Sequence, residues 1–558
     1  MRPSSGRQER LKRAIEGTQD GYFHLRTVLI LGLGNAADAI EILSIGYILA
    51  VYEDKEGALT RAQQSALAAA IFAGMFVGGL LFGLLSDHIG RRASLLYSLL
   101  INAVFALLSS ISPNIYVLIL CRSLAGVGIG GTVPAMFTLC SEHVPVHRRG
   151  FYVTIVASYW MVGSVFTAAL AWVMLGNPSS HVSWRVFAAV VSLPAFICWF
   201  LTYRYVPESA QYYARRRQFS DAEAVVNEIR TINALRQSSD GVPTEGTALL
   251  SPYSKNLTPR SASVAIADAI ERVDQRPSVA QSYRLLFDPV LRTTTISLLM
   301  SWFCLSFGSY GLATWITVLF KRINLSDPFA NAFIYAAANL PGNLLSALLM
   351  DKWGGRRILF ISMLLSAACA AGFAYVSNAA EGQEASVAST ALIILLASGF
   401  NAFSTSGWNA IDLMSAESFP TDVRTTGMGL LAAGGRSGSV IAQFVNGYLV
   451  GPPPHITLLL VITASMMLLG SVSSVLVDDY CGKTLPASVD QMRQEREFEL
   501  REGKQQSRRD SKERDDNELE EEEEQDDDDD EEEEEEADED DVLRWSAVIT
   551  DHFGDAVE

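Results

Sequence analysis

The sequence predicts an all-α membrane protein of twelve transmembrane helices in two pseudo-symmetric six-helix bundles. Three observations carry that prediction: apolar runs of spanning length recur along the chain, one loop signature is written twice, and a polar stretch separates its two copies. With 49% apolar residues over 558 positions, composition alone would also fit several soluble domains, so the distribution of those residues decides.

Six apolar runs extend from Val28 to Leu49, Leu67 to Leu85, Leu95 to Ile111, Ile115 to Leu139, Val153 to Leu175 and Val186 to Val206. Six more follow, from Thr293 to Leu319, Phe329 to Met350, Ile358 to Val376, Ala391 to Met414, Gly427 to Val450 and Ile456 to Val477. Each approaches the roughly 20 residues a helix needs to cross the hydrocarbon. The repeated signature is Gly83-Leu-Leu-Ser-Asp87-His-Ile-Gly90-Arg91-Arg92 in the first half and Asp351-Lys-Trp-Gly354-Gly355-Arg356-Arg357 in the second, with the aspartates 264 residues apart. Glu142, Pro145 and Arg149 share the spacing E-x-x-P-x-x-x-R with Glu417, Pro420 and Arg424 at an offset of 275. The resulting division is a cytoplasmic N-terminus (1–26), an N-terminal bundle (27–206), a central cytoplasmic loop (207–291), a C-terminal bundle (292–478) and a disordered acidic tail (479–558).

Positively charged short loops stay in the cytoplasm. Arg91-Arg92, Arg148-Arg149, Arg215 to Arg217 and Arg356-Arg357 all fall in connections on one side, as does the basic N-terminus, so both termini are expected in the cytoplasm. Lys321-Arg322 dissent from the other side. The first apolar run is too long and too late for a cleavable signal peptide, and the host is a plasma membrane or an endomembrane vesicle. The net charge of −19 belongs to the tail: residues 513–541 hold 24 acidic groups and one arginine, which leaves +4 for everything else. Such a segment cannot bury a core and should be extended, either as a solvated tail or as a docking element for a cytoplasmic partner. Six cysteines, five of them in or bordering spans, give no extracellular pairing framework. In the central loop Glu208 to Arg236 reads helical, and Glu245-Gly-Thr-Ala-Leu249-Leu250 fits an acidic-dileucine sorting pattern.

Ionisable residues inside spans are costly and mark function. Asn35, Asp38 and Glu41 fall on one face of span 1, and Arg122 opens span 4 as their nearest counter-ion. A carboxylate beside a guanidinium releases its proton when paired and binds one when the pair breaks, so Asp38, Glu41 and Arg122 are the candidates for proton coupling. All seven histidines lie outside the spans. In the second half Trp408, Asn409 and Asp412 in span 10 and Arg436 in span 11 are the unusual residues, and Tyr310 and Trp315 of span 7 are candidates to line a pocket with them. Arg436 either pairs with an acid across a cavity or binds an anionic substrate, and a purely structural ion pair explains either charged set as well. With Asn35 these make the substrate-binding set. The two loop signatures form a conformational latch: Asp87, Gly90, Arg91, Arg92, Glu142 and Arg149 in the first copy, Asp351, Arg356, Glu417 and Arg424 in the second. Gly355 stands where the first copy has Arg91, which predicts a weaker second latch.

On the motif Gly83 to Arg92, on Arg122 with the glycines that follow it, and on Pro207-Glu208-Ser209, the chain resembles the major facilitator superfamily from about Gly21 to Val477. Gly32-Leu-Gly-Asn-Ala-Ala-Asp38-Ala-Ile-Glu41 and Phe307-Gly-Ser-Tyr310-Gly311 are similar to its synaptic-vesicle-related branch. The resemblance implies a central cavity reached by alternating access, and matches Asp38 and Arg122 to the coupling acid and arginine of proton-driven relatives. Span 7 lacks the glutamine pair usual in the superfamily's sugar carriers, which favours a small organic ion over a sugar.

The sequence-level reading is therefore a proton-coupled secondary transporter of a small organic solute, not an enzyme, with the lipid bilayer, a small-molecule substrate and protons as partners. It calls for no cofactor, no metal and no nucleic acid. No G-x-x-x-x-G-K-S/T phosphate loop occurs, which disfavours an ATP-driven pump. The alternatives are a sugar or phosphate carrier of the same fold, and a non-transporting receptor or trafficking scaffold that acts through its tail.

Overall fold

A computed structural model describes residues 21–145, 148–176, 182–216, 218–239, 279–379, 387–420, 423–477, 489 and 491–493. The dileucine pattern and, apart from residues 489 and 491–493, the acidic tail lie outside them. The first half holds α1 (Tyr22–Glu56), α2 (Arg61–Ile89), α3 (Arg91–Ser110), α4 (Ile115–His143), α5 (Arg149–Leu175) and α6 (Trp184–Tyr205). Two central-loop helices, α7 (Ala210–Arg215) and α8 (Phe219–Ser239), precede a short α9 (Val279–Leu286). The second half holds α10 (Arg292–Arg322), α11 (Pro328–Ala337), α12 (Asn339–Trp353), α13 (Gly355–Ala379), α14 (Val387–Glu417), α15 (Arg424–Val450) and α16 (Ile456–Ser474).

Among the described residues eleven helices are long and apolar enough to cross a membrane, with α11 and α12 counted as one. The twelfth predicted span, α15, is 27 residues long but rich in glycine and small polar residues around Arg436. It packs on α10 and α2, and its outward residues Ile441, Phe444 and Tyr448 are apolar, as a spanning helix requires. The eighth span breaks at Ala338, three residues before Pro341. A proline removes its own helix hydrogen bond and crowds the carbonyl four residues back, here that of Ala337. The central-loop helix expected as one piece is two, because the Arg215–Arg217 run suits a helix C-terminus while Asp221 in the first turn of α8 suits an N-terminus.

Local sequence sets several helix starts. Thr60 and Gln63 form a reciprocal capping box for α2, Asn114 accepts from the Tyr116 and Val117 N–H groups, and Asp327 caps α11 with Pro328 in its first turn. Gly90 (φ 105°) and Gly354 (φ 77°) turn the chain after α2 and α12, where a side chain would be strained.

Helix pairing repeats between the halves. In the first, α1 packs on α5 and α6, α4 on α2 and α3, and α3 on α6; in the second, α10 packs on α15 and α16, α14 on α12 and α13, and α13 on α16. The halves meet through α1 with α10, α2 with α15 and α5 with α11, the set a pseudo-two-fold axis along the membrane normal requires. Two ends of the bundle can be told apart by their residues: the Arg91 face carries the loop signatures, and the Lys321 face carries the C-termini of α1 and α10.

The tightest seam joins α2 and α4 backbone to backbone. A Cβ added to Gly74 or Gly78 would sit 2.0 Å from the Ser123 or Val127 carbonyl oxygen, and one on Gly126 would sit 2.2 Å from that of Ile71. Gly78→Val should therefore cost about 1–3 kcal/mol or more by overpacking, read as a lower melting temperature or loss of the monodisperse peak in size-exclusion chromatography. Gly83→Ala, whose Cβ would meet no atom within 4 Å, should leave both unchanged. Equal behaviour of the two variants would contradict the seam.

Candidate functional site

The charged residues of α1 and α4 come together in the interior. Arg122 and Glu41 are both fully buried, and Arg122 Nη1 donates to Glu41 Oε2 at 2.5 Å and to Ser44 Oγ at 3.2 Å. Asp38, one turn before Glu41, is equally buried; the Asn102 amide donates to its Oδ1 at 3.4 Å, and no described cation lies within ion-pair distance of it. From the second half, Arg436 of α15 comes to lie over the Tyr310 ring.

Around Tyr310 of α10 the halves share an aromatic cluster. Its ring centroid lies 5.3 Å from Phe72 of α2, 6.3 Å from Trp160 of α5 and 5.5 Å from Trp408 of α14, and the Arg436 guanidinium stands 5.8 Å from the same centroid. Trp408 is fixed in turn: its Nε1 donates to Ser309 Oγ at 3.0 Å and its ring meets Trp302 edge-on at 5.4 Å. Asp412 is one turn beyond Trp408 on the same helix face, yet exposed, whereas Ala410 and Ile411 beside it are buried. A residue that faces the other half and still meets solvent lines an accessible cleft. Arg436, half-buried, makes no hydrogen bond or ion pair with a described residue, so a guanidinium and a carboxylate are both available there.

Three other candidates are occupied. The Asn35 amide donates to the Val156 and Ala157 carbonyls at 3.0 and 3.1 Å and ties α1 to α5. Trp315 is buried and donates to Gln443 Oε1 at 2.8 Å. Asn409 donates to Asn343 Oδ1 at 2.7 Å and Ser346 Oγ at 2.6 Å, which ties α14 to α12. Phe72, Trp160 and Asn102 are not among the residues the sequence singles out; each is an ordinary residue in its own helix, distinguished only by its contact with Tyr310 or Asp38.

The first latch closes on Glu208, which the sequence marks within Pro207-Glu208-Ser209 but not as a member of the latch. Glu208 accepts the backbone N–H of Arg91 at 3.0 Å and of Arg92 at 3.0 and 3.1 Å, and so caps the N-terminus of α3 with a carboxylate. Arg91, largely buried, lies 3.6 Å from Glu142 and 5.4 Å from the Tyr212 ring, while Arg92 donates to the Val206 carbonyl at 2.6 Å. The signal was present as a carboxylate directly after Pro207 at the end of span 6. In the second half Arg356 donates to the Val477 carbonyl at 3.4 Å, the counterpart of Arg92 and Val206, and Arg424 donates to the Phe419 carbonyl at 3.1 Å. Arg149 and Glu417 lie on the same face, and the side chains of Asp87 and Asp351 are outside the described set.

A family profile described as "Sugar (and other) transporter" matches residues 39–486. Among curated proteins the chain is 27% identical to "Niacin transporter NiaP" of Acinetobacter baylyi, over 84% of this chain and 98% of that protein. It is 26% identical to "Organic cation/carnitine transporter 7" of Arabidopsis thaliana, over 76% and 85%. It is 25% identical to "Synaptic vesicle glycoprotein 2A" of Rattus norvegicus, over 74% and 71%. Among solved structures it is similar in fold to "Inward open conformation of the xylose transporter XylE from E. coli", with a TM-score of 0.63, 17% identity, and coverage of 83% of this chain and 98% of that one.

Glu208→Ala leaves two N–H groups of α3 without their acceptor and should cost about 1–2 kcal/mol, read as a lower melting temperature of the purified protein. An unchanged melting temperature would mean that solvent replaces the cap without loss.

Proposed function

The chain belongs to the sugar (and other) transporter family of the major facilitator superfamily, and from that premise we propose that it is a proton-coupled secondary transporter of a small organic ion. In this reading it works by alternating access, with the Arg91 face in the cytoplasm. One observation carries the proposal: the Tyr310 ring is held by side chains from both halves, next to an exposed carboxylate and a guanidinium that makes no hydrogen bond or ion pair with a described residue. A ligand bound there touches both bundles, so their relative tilt decides which side it meets.

The aromatic walls suit a flat or quaternary organic group, while Arg436 and Asp412 supply a charge of either sign. Two relatives named as a niacin transporter and an organic cation/carnitine transporter are consistent with that chemistry. Asp38 is the proton site in this scheme. Among the described residues it has no ion-pair partner, and Arg122 is committed to Glu41 one turn away, where it can exchange one acid for the other as α1 and α4 move. The orientation rests on the arginine pairs of the Arg91 face.

The test is uptake by the purified protein in liposomes against organic acids, amines, sugars and phosphate, with and without an imposed pH gradient. Gradient-driven accumulation of an organic ion is expected. Absence of flux for every class, with folded protein verified, would favour a receptor or scaffold. Asp38→Asn should abolish accumulation driven by the gradient and leave substrate exchange at equal concentrations within a few-fold of wild type. Surviving accumulation would remove Asp38 from the coupling step.

A further inference from the structure

Lys321 and Arg322 are the basic pair that the charge rule misplaces, and the structure gives them partners across the interface between the halves. Arg322 Nη2 lies 3.2 Å from Glu53 Oε2, and Lys321 pairs with Asp54 while donating to the Ala50 carbonyl at 2.9 Å. We propose that Glu53, Asp54, Lys321 and Arg322 form an electrostatic gate that holds the halves together at the Lys321 face and must open before the cleft can reach that side. This rests on the alternating-access reading.

The same face also holds the α2–α15 and α5–α11 contacts closed. Arg61 of α2 stacks 4.8 Å from the Tyr448 ring of α15 and donates to the Pro452 carbonyl, and Trp172 of α5 donates to Asp327 at 3.0 Å while stacking on Phe333 at 5.7 Å. The backbones are close there too: a Cβ on Gly46 would lie 2.2 Å from the Thr314 oxygen, and one on Gly447 would lie 2.2 Å from Ser65 Oγ. Toward the Arg91 face on α2 and α15 themselves, a Cβ on Gly83 or Gly429 would meet no atom within 4 Å.

The gate's pairs suit reversible opening. Their side chains are 29–58% exposed, so each is individually weak and can be exchanged for water. The fully buried Arg122–Glu41 pair, by contrast, lies within one half. Both gate acids sit on α1, the helix that carries Asp38 and Glu41. A shift of α1 that changes the environment of the buried acids therefore also displaces the gate.

The experiment uses the full-length protein in lipid nanodiscs, with Cys369 and Cys481 replaced by serine and spin labels at Ala58→Cys and Ser326→Cys, two exposed positions on either side of the gate. Double electron–electron resonance then reads the distance across it. The wild-type pairing should give mainly the short distance. Glu53→Arg and Arg322→Glu should each raise the ratio of long to short populations roughly three-fold, and the double exchange should return it. Raising salt from ~0.05 to ~1 M should shift the unaltered gate in the same direction, a reading that needs no charge substitution. Distances that ignore both reversal and salt, or a double exchange as wide as the single variants, would overturn the gate. Uptake by the same proteins separates the two ideas: a working gate without flux sinks the transport reading alone, and flux with an unmoved distance sinks the gate alone.

Discussion

The fully buried pair of Arg122 and Glu41 is the constraint around which the first half is built. A guanidinium inside a span persists only where a partner charge and added hydrogen bonds compensate its lost hydration, and removing one member of such a pair typically costs about 3–5 kcal/mol. Glu41 reaches Arg122 only if α1 is held at one height against α4. It is held at three levels: Phe23 packs among Ala210, Ala222, Val225, Val226 and Ile229 while the Asn233 side chain accepts its N–H, Asn35 grips two carbonyls of α5, and Lys321 and Arg322 take the acids of the last turn. Helix α4 is pressed in turn against α2 and α3 by glycines whose added side chains would strike backbone. The small residues and the buried charge are thus one arrangement.

The duplicated signatures keep their scaffold and differ in their chemistry. Both use a positive-φ glycine to turn and an arginine to bind the carbonyl that ends the last span of its half, Val206 in one and Val477 in the other. The first adds Arg91 and Glu142 and the carboxylate of Glu208 beneath the start of α3. In the second, Gly355 supplies no guanidinium, and a Cβ there would meet Met414 Cγ at 2.8 Å. Where the first half has a charged contact, the second has a glycine packed against a methionine methylene. The halves can therefore share a fold and still respond unequally when the Arg91 face moves.

What the sequence made legible follows from what a membrane imposes on composition. Spanning length, charged loops and the spacing of repeated motifs survive in one dimension, so the helices, the duplication and the residues Asp38, Glu41, Arg122, Tyr310, Trp408, Asp412 and Arg436 could be picked out as unusual in their runs. Side-chain direction at the cleft does not survive in that way. Asn35, Trp315 and Asn409 look as functional as their neighbours until their amides and indole are seen to be spent on adjacent helices. Phe72 and Trp160 look like lipid-facing aromatics until they meet Tyr310 from the opposite half. Glu208 escaped because a cap acts on backbone groups more than a hundred residues away in the chain.

The same reasoning explains why glycine content alone could not say which face of the bundle is packed. Glycine permits close approach and equally permits empty space, and this chain uses both at once. Gly46 and Gly447 lie where α1 meets α10 and α2 meets α15, too close for any side chain, while Gly83 and Gly429 stand on two of the same helices with room around them. Side chains filling those open positions would brace one arrangement of the halves, and side chains at the crowded ones would forbid it. A pair of bundles that has to pack first at one end and then at the other needs small residues at both, so the distribution of glycine along α2 and α15 reads as a condition for motion between two packings.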